Sequence, residues 1–252
     1  MIVMMNVMNL DPSSAYSIAI LLHASSVAAP LLMFWREFAS MISRLPTICQ
    51  GLREPRDETD RVLRSLIVIT IVSATIATPL YFLARGLLSA TGGYLVMLLI
   101  GVLLAVTGVI QLLPRRIQSL KSIKDLSTLD LVFVGLAQGG SILPGVSRSG
   151  LSVTTLLLRR LDKEAALRLS FMVSVPLILG AVILDLAEGG AKIVQSIGVL
   201  DATVMLVSTF LASVLSMRAL LRVAQKMNFG YFLIIFGSLT LTASLTKILF
   251  GL

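Results

Sequence analysis

The stretch GLAQGGSILPGVSRSG, residues 135–150, decides how the rest of this chain is interpreted. Within it, proline, glycine, serine and one arginine, Arg148, separate two apolar pieces, about 130–143 and 150–158. Each apolar piece is too short to cross a hydrocarbon core of about 30 Å. Short apolar segments broken by proline and glycine are typical of re-entrant hairpins. The sequence therefore predicts a re-entrant helical hairpin over 130–158, with Arg148 at its break.

The composition of the chain indicates a membrane protein. Of its 252 residues 56% are hydrophobic and only 13% are charged, which is too little polar surface for a water-soluble domain. Apolar runs of about 20 residues can each cross a bilayer. They predict an all-α, polytopic membrane protein with six transmembrane helices, at 14–35, 65–84, 94–113, 168–187, 197–217 and 229–250.

The predicted spans form two halves within a single membrane domain, residues 1–252. The first half is 1–129, and the second is 130–252, which contains the hairpin. The first span of the first half and the first span of the second half cross the membrane in opposite directions. The halves therefore form an inverted 3+3 repeat. This arrangement is common among membrane proteins that bind polar ligands.

The net charge of +8 follows the predicted topology. Of the 21 lysines and arginines, 17 fall in or beside loops that this topology places on one side, and basic loops are cytoplasmic. We therefore predict a plasma-membrane protein that does not bind nucleic acid, with cytoplasmic loops at 37–64, 114–129, 159–168 and 218–228. Arg148 belongs to neither face. The single cysteine, Cys49, excludes an internal disulfide and a cysteine metal cluster.

The hairpin break has the composition of an anion site. A charged residue at membrane depth is expensive and suggests a function, and a guanidinium suits phosphate or carboxylate. Ser147 can cap a following helix, whose first amides would then face the anion bound by Arg148. Glycine permits close backbone approach, and serine hydroxyls can bond phosphoryl oxygens. The residues concerned are Gly145, Ser147, Ser149, Gly150 and Ser152. The alternative is that Arg148 extends to the inner surface and the serines have no ligand.

Three stretches together resemble one family. They are GLAQGGSILPGVSRSG, RLSFMVSVPLILGAVILDL at 168–186, and ILLHASSVAAPLLMFWREF at 20–38. They are similar to segments of the undecaprenyl-diphosphatases, also called bacitracin-resistance proteins. The resemblance implies removal of the terminal phosphate from a polyprenyl diphosphate, which recycles the carrier lipid of peptidoglycan synthesis, with Mg²⁺ or Ca²⁺ as cofactor. It implies catalytic roles for Ser147, Arg148 and Ser149, and substrate-binding roles for Gly150, Ser152 and Gln138.

The N-terminal segment departs from the family pattern. The family's first signature has two glutamates four residues apart and a Ser-Ser-Thr-Gly-His run, and both are absent from residues 1–13. The metal ligands are therefore unknown. Two explanations are open. The true start of the chain lies upstream, or the protein has kept diphosphate binding and lost hydrolysis.

Two other functions are also open on the sequence. One is a transporter, flippase or non-catalytic binder of anionic polyprenyl lipids, because inverted repeats and broken helices suit alternating access. The other is an intramembrane serine protease, in which a hairpin serine would pair with the sole histidine, His23. The sequence does not predict the oligomeric state.

Overall fold

A computed structural model of the chain describes residues 12–90, 93–112, 121–143, 146–187, 199–223 and 229–250. Within these ranges the protein is helical and contains no β-strand, apart from an isolated parallel bridge between Lys121 and Leu161. The all-α fold class is therefore confirmed. Residues 1–11, which form most of the N-terminal segment that departs from the family pattern, lie outside the described residues, as do Pro144 and Gly145.

Ten α-helices are present in the described part of the chain. They are α1 (Pro12–Met33), α2 (Trp35–Ser43), α3 (Ile48–Arg53), α4 (Glu58–Ala90), α5 (Gly93–Leu112), α6 (Thr128–Gly140), α7 (Arg148–Leu158), α8 (Lys163–Asp185), α9 (Val199–Val223) and α10 (Phe229–Phe250). Six of them coincide with the predicted spans, and α6 and α7 coincide with the two short apolar pieces. The largest difference is in α4, which begins well before the predicted residue 65 because Glu58 and Asp60 suit a helix N-terminus.

Among the described residues, three helical segments are long and apolar enough to cross a membrane: Glu58–Ala84, Lys163–Asp185 and Leu200–Ala219. The surface of α9 carries a stripe of exposed apolar side chains at helical spacing, namely Leu200, Val204, Val207, Leu211 and Leu215. A stripe of this length is typical of a surface that contacts lipid, because water-soluble proteins rarely expose one. The fold is therefore that of a membrane protein.

Small residues allow the hairpin to pack closely on its neighbours. α6 lies against α4, α7 packs between α6 and α8, and α5 pairs with α10. A methyl group added at Gly135 would lie 2.6 Å from Cβ of Val72, and one added at Gly139 would lie 2.7 Å from Cβ of Ile76. Glycine at these two positions lets the α6 backbone approach α4, as in other membrane helix pairs. The Ser73 hydroxyl donates a hydrogen bond of 3.1 Å to the Gly135 carbonyl across the same contact.

The basic loops meet at one end of the bundle. Arg61 donates to the Lys124 carbonyl at 2.8 Å, and the Lys121 amide donates to the Arg160 carbonyl at 3.0 Å. Arg168 forms an ion pair of 2.7 Å with Glu37. These contacts join loops 37–64, 114–129 and 159–168, which the charge pattern had placed on one side. Residues 224–228 of the fourth loop lie outside the described residues.

Candidate functional site

The two short helices form an antiparallel hairpin. The start of α6 contacts the end of α7 through Asp130 and Arg159, while Gln138 near the end of α6 contacts Ser152 near the start of α7. Capping explains where both helices begin. Ser127 accepts from the Asp130 amide at 3.2 Å, and Ser147 accepts from the Gly150 amide at 3.2 Å. Ser147 is the N-cap of a helix that begins at Arg148, so its predicted role as a cap is confirmed.

A buried carboxylate joins the open end of this hairpin. Asp130 is fully buried, accepts from Lys121 at 2.9 Å, and forms a second ion pair with Arg159. Desolvation raises the pKa of the Asp130 carboxyl, but hydrogen bonds from Lys121, Ser127 and Arg159 outweigh desolvation and hold its pKa well below the ordinary value. The carboxylate therefore stays charged and ties both helix ends to the preceding loop.

We expect Asp130→Asn to lower the thermal stability of the purified protein. The neutral amide leaves Lys121 and Arg159 without their counter-ion, which costs about 1–3 kcal/mol. Because the folded-state pKa is depressed, the stabilisation is present above the unfolded pKa of about 3.9 and is lost as pH falls through the folded value. The difference in melting temperature between wild type and Asp130→Asn should therefore be largest near neutral pH and shrink in acid.

The exposed carboxylate Asp125 provides the matched control for this measurement. Its side chain accepts hydrogen bonds from the amide and the hydroxyl of Ser122 in the same loop, at 2.8 Å each, rather than from a hairpin helix. Asp125→Asn should change the melting temperature much less than Asp130→Asn. Equal effects of the two substitutions would show that Asp130 does not hold the hairpin together.

Two predicted ligand-binding residues lie buried between helices. The Ser152 hydroxyl donates to Oε1 of Gln138 at 3.1 Å, and Nε2 of Gln138 donates to the Val173 carbonyl at 3.4 Å. Gln138 and Ser152 are each 1% exposed. Pro176 lies in α8 close to Val173 and cannot donate to the Met172 carbonyl, so the α8 hydrogen-bond ladder is interrupted beside this contact. The hydrogen bonds of Gln138 and Ser152 therefore help to set the positions of α6 and α7 relative to α8.

Arg148, Ser147 and Ser149 stand together at the break of the hairpin. Arg148 is partly buried, and its guanidinium makes no hydrogen bond or ion pair with any described residue. Ser149 is exposed beside it, while Gly150 is buried. The Gly150 amide donates to the Ser147 hydroxyl, as the predicted capping role of Ser147 requires. The Arg148 and Ser149 amides, in the first turn of α7, have no intrahelical acceptor.

Sequence reasoning missed one buried polar pair at the other end of the bundle. The Tyr81 hydroxyl of α4 donates to Oδ1 of Asp185 of α8 at 3.3 Å, and both side chains are buried. The signal that could have revealed the pair is an acidic residue inside the apolar run of α8. His23, by contrast, is exposed on α1.

The described residues provide no evident metal site. No group of three or more histidine, cysteine, aspartate or glutamate side chains among them could hold a metal ion. The carboxylates in and beside the hairpin are engaged, Asp130 by two cations, Asp125 by Ser122, and Asp162 by the amides of Glu164 and Ala165. The residues that the structure describes therefore do not by themselves fit the divalent cation that the resemblance implies.

Fold and site together define a class, namely helical membrane proteins with a broken hairpin that presents an arginine. Residues 1–240 match the model of the family described as bacitracin resistance protein BacA. The chain belongs to this family.

The relatives agree with this assignment. The undecaprenyl-diphosphatase of Methanothrix thermoacetophila is 36% identical over 241 residues, which cover 96% of this chain and 86% of that protein. Those of Methanopyrus kandleri and Haloarcula marismortui are 33% and 32% identical, over 96% and 95% of this chain and 86% of each relative.

Proposed function

We propose that this protein hydrolyses a polyprenyl diphosphate to the monophosphate carrier lipid and inorganic phosphate. The observation that carries the proposal is the guanidinium of Arg148, which is partly buried at a helix start and has no partner among the described residues. A partly buried cation that has no protein partner favours the binding of a multiply charged anion. Family membership and the undecaprenyl-diphosphatase activity for which the relatives are named support the choice of a diphosphate.

The residues at the break have separate tasks in this reaction. The planar fork of Arg148 binds phosphoryl oxygens in bidentate fashion and neutralises the charge that spreads over them in the transition state. The Arg148 and Ser149 amides add the positive end of the α7 dipole, and the hydroxyls of Ser147 and Ser149 donate further hydrogen bonds. The oxygen of a water molecule attacks the terminal phosphorus. The phosphoanhydride bond breaks, the lipid monophosphate is the leaving group, and the terminal phosphate is released as inorganic phosphate. Gly145 would let the diphosphate approach the backbone.

The proposal includes a divalent cation, Mg²⁺ or Ca²⁺, because the resemblance implies one. Such an ion would offset the charge of the diphosphate. The described residues offer no ligand cluster, so the groups of this chain that act on the diphosphate are the donors of the hairpin.

We also propose the complete membrane arrangement. It comprises six spans, a re-entrant α6–α7 hairpin, an inverted repeat of residues 1–129 and 130–252, and a plasma-membrane location with the basic loops in the cytoplasm. The antiparallel contacts of α6 and α7 and the meeting of three basic loops at one end support it. Under this arrangement the tip of the hairpin lies at membrane depth and the isoprenoid tail follows apolar helix faces. Peptidoglycan precursor recycling and bacitracin resistance are the cellular roles that follow from the activity.

The direct test is phosphate release from a polyprenyl diphosphate by the purified protein in detergent or nanodiscs. We expect release with Mg²⁺ or Ca²⁺, and loss of release when EDTA removes the cation. A water-soluble phosphomonoester should be a poor substrate, because it lacks the tail and the second phosphate. Tight binding or translocation of the lipid without release would contradict hydrolysis and indicate the transporter or binding function.

A further inference from the structure

The short helix α2 has an apolar surface that the bundle does not cover. α2 follows α1 directly at the basic end of the protein. Phe34, Phe38 and Met41 share one side of this segment and pack into the core. At 100° per residue, Trp35 and Ile42 lie together on a neighbouring side. Trp35 is 58% exposed and Ile42 is 65% exposed, so this second apolar side faces outward.

The exposed stripe continues on both flanks of α2. Leu31 and Leu32 precede it at the end of α1, and Leu45 follows it, and all three are exposed. Leu31 and Leu32 belong to an apolar helix of the bundle, so the stripe extends a lipid-facing surface. An exposed aromatic and aliphatic stripe costs free energy in water, at about 25 cal/mol for each Å². A hydrophobic environment at this end of the protein would remove that cost.

The charges around the stripe indicate which environment covers it. The guanidinium carbon of Arg36 lies 5.6 Å from the centroid of the Trp35 ring, and Arg36 is exposed. Glu37, the acidic residue of α2, is paired with Arg168 of α8. The side of α2 next to the stripe is therefore cationic. It lies at the same end of the bundle as the three basic loops. Tryptophan beside arginine is the pairing found at the level of lipid headgroups.

We propose that α2 is an interfacial helix that lies along the membrane surface on the basic side of the bundle. Trp35, Ile42 and Leu45 enter the boundary between headgroups and acyl chains, and Arg36 binds lipid phosphates. The helix thus anchors the start of loop 37–64, whose Glu37 pairs with Arg168 at the beginning of α8. This inference depends on insertion of the bundle in a bilayer and not on the proposed phosphatase activity.

The chain offers its own probe, because Trp35 is its single tryptophan. The purified protein is reconstituted in phosphatidylcholine vesicles that contain phosphatidylglycerol, with lipids brominated either near the glycerol end or near the methyl end of the acyl chain. For a helix about 5–10 Å below the surface, we expect bromine near the glycerol end to quench at least about twofold more strongly. Aqueous iodide should quench weakly.

The variant Trp35→Phe combined with Lys124→Trp is the matched control. Lys124 is exposed in the loop before α6, so its replacement reports a position in water at the same end of the protein. We expect this tryptophan to be quenched by iodide and little by brominated lipid. The proposal is overturned if Trp35 behaves in the same way as this control. It is also overturned if neither quencher reaches Trp35, which would indicate a contact between copies of the chain.

Discussion

Replacement of Arg148 by alanine should lower the rate of phosphate release by about a thousandfold or more, because one arginine that neutralises a phosphoryl transition state contributes on this scale. Arg148→Lys should also fail, with a loss of at least about a hundredfold. Lysine keeps the charge but lacks the planar fork that holds two phosphoryl oxygens at once. The measurement is the initial rate of phosphate release from a polyprenyl diphosphate, with binding of the same lipid measured separately.

Arg160→Lys is the control for this series. Arg160 follows the other end of the same helix α7, is exposed, and adopts a φ of 68° at the turn into α8. Its replacement changes the same functional group at a position that lies at the basic end, away from the break. We expect a rate within about twofold of wild type, as is usual for an exposed substitution. If Arg148→Lys retained full activity, the guanidinium would not be the group that binds the transferred phosphate.

Gly139→Ala is expected to lower both stability and activity, whereas Gly140→Ala should be neutral or slightly stabilising. A methyl group at residue 139 would lie 2.7 Å from Cβ of Ile76 and 2.9 Å from the Ser73 carbonyl oxygen, so α6 must move away from α4. Overpacking of this kind costs about 1–3 kcal/mol. A methyl group at Gly140 meets nothing within 4 Å. Thermal unfolding of the two purified variants measures the difference.

The activity of the same pair tests whether helix packing positions Arg148. Gln138 is adjacent to Gly139 and bonds to Ser152, four residues after Arg148, so a shift of α6 is passed to α7. A displacement of about 1 Å at a reacting centre can cost about a hundredfold in rate. We expect a large loss of phosphate release in Gly139→Ala, measured below its melting temperature, and none in Gly140→Ala. Equal rates in folded samples of both would show that the α4–α6 contact supports stability alone.

Much of this fold could be predicted because its determinants are local. Apolar runs gave the six long helices, and the Pro-Gly interruption gave two short ones. Ser147 marked the start of α7 because a serine ahead of a helix satisfies an otherwise unpaired amide. Clustered arginine and lysine predicted four loops on one side, and contacts of Arg61, Lys121 and Arg168 bring three of these loops together. The cytoplasmic side of these loops stays a prediction. Roles for Arg148 and the two serines beside it stay predictions.

What the sequence determined by itself was therefore the order and extent of the helices, the position of the break and the residue placed there. Only the tertiary structure decided which faces meet. In the packed helices Ser152 donates a hydrogen bond to Gln138, Asp130 forms ion pairs with two cations, and Tyr81 donates a hydrogen bond to Asp185. The physical reason is that a helix apolar on every side carries no periodic signal for its partner. Contacts between such helices depend on shape and on a few polar atoms, which become specific only once the helices are assembled.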